Sequence, residues 1–99
     1  MSGAKLLASA REDIRLEKYF YPRVSPDLAL QFQIAIEKAI RAAAEQALAM
    51  QVLEFGIRRW PLEGFPHGVL YRIERDVIIV LSVFHPGQDP EKWRSRART

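Results

Sequence analysis

The eight residues VIIVLSVF, Val77 to Phe84, constrain this chain more than any other stretch. Successive side chains of a strand point to opposite faces, so a half-buried strand alternates apolar and polar residues. Here Val77, Ile79, Leu81 and Val83 would point one way and Ile78, Val80, Ser82 and Phe84 the other. Both sets are apolar apart from one serine. A strand of this kind belongs inside a sheet that is covered on both faces. The run is also far too short to cross a bilayer as a helix. Whatever this chain folds into, each face of that strand needs a cover.

One cover is legible upstream. Ser25-Pro26-Asp27 reads as a helix start, with proline at the first helical position and an acid in the first turn. From there Leu28, Phe32, Ala35, Ile36, Ala39, Ile40 and Ala43 recur every three or four residues and define one apolar face. Leu30 and Ile34 fall on the opposite face. Before it, Ser9-Ala10-Arg11-Glu12 has the pattern of a capping box. The helix it predicts carries Ile14, Leu16, Tyr19 and Phe20 and stops before Pro22. The two helices should form an antiparallel hairpin, joined around Tyr21 to Val24. A short strand over Lys5 to Ala8 precedes them.

The second helix could continue to Met50, since alanine favours helix. Val52 to Phe55 reads as extended, Gly56 as a break, and Ile57 to Leu62 as a strand. Gly64 to Gly68 is a turn, Val69 to Ile73 a strand, Glu74-Arg75-Asp76 a hairpin loop, and His85-Pro86-Gly87 ends the final strand. The class is α+β, in a single domain over residues 1–99: an N-terminal strand, a two-helix antiparallel hairpin, then a three-stranded antiparallel meander packed on the helices. The hairpin covers one face of the sheet. The other face must be covered by the 43–55 segment, the C-terminal tail or a separate chain.

Composition narrows the functional classes. With 48% hydrophobic and 27% charged residues the chain is of the folded, globular type. It has no cysteine, which excludes disulfides and thiolate metal sites. The N-terminus lacks a long apolar signal region, so a cytoplasmic location and no membrane partner are expected. The net charge of +3 is a mild bias. Lys92, Arg94, Arg96 and Arg98 alternate near the C-terminal end, a spacing that reads as a loosely placed basic tail dispensable for folding. His67 and His85 bracket the hairpin without a third group at ligand spacing, so no metal and no cofactor is implied.

The stretch RRWPLEGFPHGVLYRIERDVIIVLSVFHPGQDPEKWRSR, Arg58 to Arg96, resembles the C-terminal half of ParE-type toxins of the RelE/ParE superfamily. In that family a GFP turn, a YR strand and a V-x-H-G-R-R-D-P-x-x-W ending follow one another, and the upstream strand–helix–helix order agrees. The resemblance implies the toxin component of a bacterial type II toxin–antitoxin system. Such a toxin inhibits DNA gyrase and is neutralised by a ParD-like antitoxin. It assigns contact with gyrase, and with the DNA that gyrase holds, to Trp93, Arg94, Arg96 and Arg98. Antitoxin contact would fall on Arg58, Trp60, Ile78, Val80 and Phe84. An alternative is the RelE-like, ribosome-dependent mRNA endonuclease, with His67 and His85 as the catalytic pair. Against it, Gln88 stands where the family ending has arginine and Trp93 roughly where RelE nucleases place a tyrosine. Glutamine cannot neutralise a phosphate, and an indole is no acid–base group. A third reading is an inert interaction module on the same scaffold.

Overall fold

The computed structural model describes residues 3–98, with the side chains of 19–24 excepted. In chain order the elements are β1 (Gly3–Leu6), α1 (Ala8–Val24), α2 (Pro26–Glu45), a 3-10 turn (Glu54–Gly56), β2 (Arg58–Pro61), β3 (Gly68–Glu74), β4 (Val77–Phe84) and α3 (Glu91–Ala97). The sheet order is β1-β4-β3-β2, with β1 parallel to β4 and the other neighbours antiparallel. The apolar strand is therefore an inner one, buried from Ile78 to Phe84.

Each face has its own core. On one side Phe32, Ile36, Ala39 and Ala43 of α2 pack with Val69, Tyr71, Ile78, Val80 and Val83 of the sheet. On the other, Trp93 and Ala97 of α3 cover Ile57, Leu70, Leu81 and Phe84. Of the three expected covers for the second face, the C-terminal tail fills the role.

Strict alternation along β4 fails at one point. Leu70 lies opposite Ser82 and Tyr71 opposite Val80, so a bulge leaves Leu81 without a partner in β3. An extra residue flips the side-chain parity beyond it. Val83 thus joins Ile78 and Val80 under the helices, while Leu81 and Phe84 turn toward α3.

The helix ends depart from sequence expectation for local reasons. Ser25 caps α2 as expected, its Oγ accepting from the Leu28 N–H at 3.3 Å. Ser9 does not cap α1. The helix starts at Ala8, Ser9 Oγ donates to Leu81 O of β4 at 2.8 Å, and Glu12 pairs with Arg15 instead. A tertiary acceptor outcompeted the local one. The α1 backbone also runs through Pro22 to Val24, leaving only Ser25 between the helices. A proline this near the C-terminal end removes one hydrogen bond of the last turns, which packing can tolerate. Ile14 packs on the core, Leu16 is exposed, and the Tyr19 and Phe20 side chains lie outside the described residues.

α2 ends at Glu45 rather than Met50. Beyond it, Tyr71 OH donates to Ala47 O at 2.8 Å, and Arg58 Nη1 donates to Leu48 O at 3.3 Å and Met50 O at 2.6 Å. These side chains satisfy carbonyls that a continued helix would have bonded, and they pull the backbone out of its spiral. The next segment is a narrow loop, not a strand. Val52 bridges Arg58, the Leu53 N–H reaches Ile57 O, and the chain reverses at Phe55 and Gly56, both with positive φ (59° and 72°).

Candidate functional site

The tail residues are the first test of the expected target surface. Asp89-Pro90 starts α3, with Asp89 Oδ1 accepting the Glu91 N–H at 2.9 Å. Helical spacing then sorts the alternating cations onto two faces. Arg96 and Lys92 turn inward toward Asp13 of α1. The Arg96 guanidinium grips this buried carboxylate with both terminal nitrogens, at 2.6 and 3.0 Å, and Lys92 Nζ stands 3.8 Å away. Asp13 Oδ2 also accepts from Ser82 Oγ at 2.9 Å and from the Val83 N–H at 3.1 Å. Leu81 O, beside the bulge, accepts from Ser9 Oγ and Arg96 Nη1. Asp13, Ser9 and Arg96 therefore satisfy what the bulge leaves unpaired.

Arg94 and Arg98 form the outer face. Arg94 pairs with Glu54 at 2.8 Å, and Arg98 pairs with Glu91 and lies 5.6 Å over the Phe55 ring. Trp93 is only 6% exposed. The tail is thus a docked helix whose Trp93 and Arg96 serve the fold, and the expectation of a loose, dispensable end is corrected. Arg94 and Arg98 are left at the surface.

His67 and His85 do come together, with ring centroids 4.9 Å apart. His67 is 1% exposed, enclosed by Phe32 and Phe65 at 5.0 and 6.4 Å. Its Nε2 lies 3.4 Å from Glu17 Oε1 without hydrogen-bond geometry, so neither ring nitrogen is hydrogen-bonded among the described residues. His85 Nδ1 accepts the Gly87 N–H at 2.8 Å, and Gln88 Oε1 accepts the His85 N–H at 3.1 Å. His85 is a turn residue, and His67 is walled off from any substrate phosphate.

Burial lowers the His67 pKa below its ordinary 6.5, outweighing the nearby Glu17 carboxylate, with His85 and Arg59 acting in the same direction as burial. The folded ring therefore stays neutral at pH values where the unfolded chain takes up a proton. Stability is full above about pH 6.5 and falls as pH drops toward the folded pKa. Urea unfolding between about pH 7 and 5.5 should show this decline, and His67→Phe should flatten it. An unchanged slope in the variant would refute the assignment.

Three of the residues expected to meet an antitoxin are inside the protein. Ile78 and Val80 are fully buried under α1 and α2, and Phe84 lies under α3, so this chain covers them itself. Arg58 holds the turn after α2, as described. Trp60 is half-buried and lies at the surface. It lines, with Pro61 and Leu62, a groove of about 380 Å³ between β2 and α2. Ala35 and Ala39 form its floor on the helix side, Ala42 its half-buried rim, and the exposed Lys38–Glu63 pair, 3.7 Å apart, flanks it. A second hollow continues it past Gln31 and Ile34. Small residues on one helix face let another backbone approach closely. β2 lies at the end of the sheet order, so beyond the single bridge from Arg58 to Val52 its outer edge is open to another strand among the described residues.

No helix among the described residues is long and apolar enough to cross a membrane. Among curated proteins no sequence matches the chain. Among solved structures it is similar to a chain of the chromosomal ParDE TA system from P. aeruginosa. The TM-score is 0.74 at 21% identity, covering 86% of this chain and 96% of that one. That likeness concerns the fold. The sequence itself matches the model of the ParE toxin of type II toxin–antitoxin system, parDE, over residues 4–90. The match runs from β1 to the residue before α3, and with it the chain belongs to the ParE toxin family.

Proposed function

We propose that this protein is the toxin of a type II pair that acts on DNA gyrase and is held inactive by a ParD-like antitoxin. The observation that carries the reading is the family match over residues 4–90 on a chain in which His67, one of the two paired histidines, is enclosed. A gyrase poison needs a docking surface; a ribonuclease needs an acid and a base that reach a phosphate. The contact between His67 and His85 favours the ribonuclease alternative, but the 1% exposure of His67 weighs more. Inducing the protein alone in bacteria separates the two readings. DNA breaks, filamentation and inhibited supercoiling by purified gyrase are expected, whereas prompt mRNA cleavage with intact DNA would overturn the reading.

The antitoxin fits the α2–β2 groove, with Trp60 as anchor, since tryptophan is enriched at interface hot spots. An apolar helix seated on Ala35, Ala39 and Ala42, or a strand added at β2, both suit it. Ala42→Trp fills the groove from its half-buried rim and should weaken antitoxin binding at least about 30-fold, the scale of a lost hot spot. Titration calorimetry with the co-encoded antitoxin checks it, and an unchanged affinity would place the antitoxin elsewhere.

A further inference from the structure

A second surface lies at the 48–55 segment, where Leu48, Val52, Leu53 and Phe55 are all exposed, Leu48 by 70%. Four large apolar side chains within eight residues concentrate exposed apolar surface in one segment rather than scattering it. Phe55 stands out. Its φ of +59° is a left-handed conformation that a bulky residue adopts at a cost in strain. The strain earns no burial within the chain, since the ring is 49% exposed. Glycine would fit that position without strain, and glycine already follows it at 56. The loop is nevertheless well held, by the Val52–Arg58 bridge, the bond from Leu53 N–H to Ile57 O and the Arg58 bonds to Leu48 and Met50. The ring is raised on a rigid support.

Its surroundings indicate what it meets. Arg98 lies across the Phe55 ring, and Arg94 pairs with Glu54 beside it. Both pairs of the outer α3 face, Arg94–Glu54 and Arg98–Glu91, are exposed, and exposed pairs are weak enough to exchange partners. A guanidinium beside an aromatic ring suits a carboxylate at the lip of an apolar pocket.

We infer that Leu53 and Phe55, flanked by Arg94 and Arg98, form the surface that docks the toxin's protein target, an apolar pocket edged by carboxylates. The inference rests on the gyrase-toxin reading. The surface is separate from the α2–β2 groove, so target and antitoxin are met by different residues.

The test uses Phe55→Gly and Leu53→Ser in the full chain, with Arg98→Glu as a charge probe. Phe55→Gly should leave the melting temperature unchanged or raised, and antitoxin affinity unchanged. Growth arrest on induction at matched levels should be lost, and inhibition of purified gyrase weakened tenfold or more. Arg98→Glu should act in the same direction. Variants that arrest growth as the wild type does would overturn the docking surface while leaving the gyrase reading intact. A wild type that arrests growth without inhibiting gyrase would overturn the gyrase reading, and the surface would still stand or fall with growth arrest in the variants. A wild type without effect on growth overturns both. Two further results would overturn the assigned occupant: a dimer in sedimentation that these variants dissolve, or tight binding to DNA alone that they abolish.

Discussion

Replacing Asp13 by alanine should destabilise the protein by about 3–5 kcal/mol, the range for breaking a buried ion pair from one side. The carboxylate is 5% exposed and accepts from Arg96, Ser82 and the Val83 N–H. Its removal takes the shared carboxylate from a guanidinium, a hydroxyl and a backbone donor next to the bulge at once. The Arg96 side chain keeps 21% exposure, and water reaching it should place the effect toward the lower end. Arg96→Met leaves the opposite charge stranded, with Lys92 too far away to replace a bidentate grip. Combining Asp13→Leu with Arg96→Met should cost much less than the two singles summed, because no lone charge remains. Urea unfolding of the three variants checks this. A cost below about 1 kcal/mol for Asp13→Ala would mean that the pair behaves as a surface contact.

Trp93→Ala comes next in size, at about 3–5 kcal/mol for a large aromatic truncated in a core. In a domain of this length that corresponds to a fall in melting temperature on the order of 15 °C. The indole fills the second core between Ile57, Leu70, Leu81 and Phe84. A chain stopped after Pro90 loses Trp93, Ala97 and the Arg96 clamp together. It should bind hydrophobic dyes and fail to unfold cooperatively. Loss of toxicity on truncating the tail would therefore report an unfolded sheet before it reported a missing target contact. A truncated protein with the melting temperature of the full chain would refute the whole account of α3.

The doubly apolar β4 strand and the Ser25-Pro26-Asp27 start were legible because their causes are local: period two with a single polar position, and a capping side chain three residues from the N–H it serves. α3 was legible in principle. Asp89-Pro90-Glu91 repeats the pattern that starts α2, and Trp93, Arg96 and Ala97 have helical spacing. The alternating arginines concealed it, because alternation suggests strand or coil when read without the helical turn. Asp13 carried a fainter signal, an acid on the same helix face as the buried Ala10. The bulge left no mark in VIIVLSVF, since both faces of that strand are apolar in either register. The destination of Ser9 could not be read from its neighbours, because its acceptor lies 72 residues away. The groove depends on how α2 sits against β2, a tertiary relation. Of the five residues expected at the antitoxin contact, Trp60 lines the groove, Arg58 is occupied in holding the turn after α2, and Ile78, Val80 and Phe84 proved to be core.

The strand order β1-β4-β3-β2 has a kinetic consequence. The sheet's first strand pairs with its last, and Arg96 closes on Asp13 across 83 residues of chain. β1 does not meet its main partner until β4 has left the ribosome, α1 has little but α2 to pack on before then, and the second core waits for α3. Contacts this distant in sequence make folding slow and leave little to form early. During synthesis the helical hairpin must linger with its apolar stripe uncovered, a species prone to aggregation or capture. An antitoxin already present at that moment would meet a nascent chain before it meets a finished toxin.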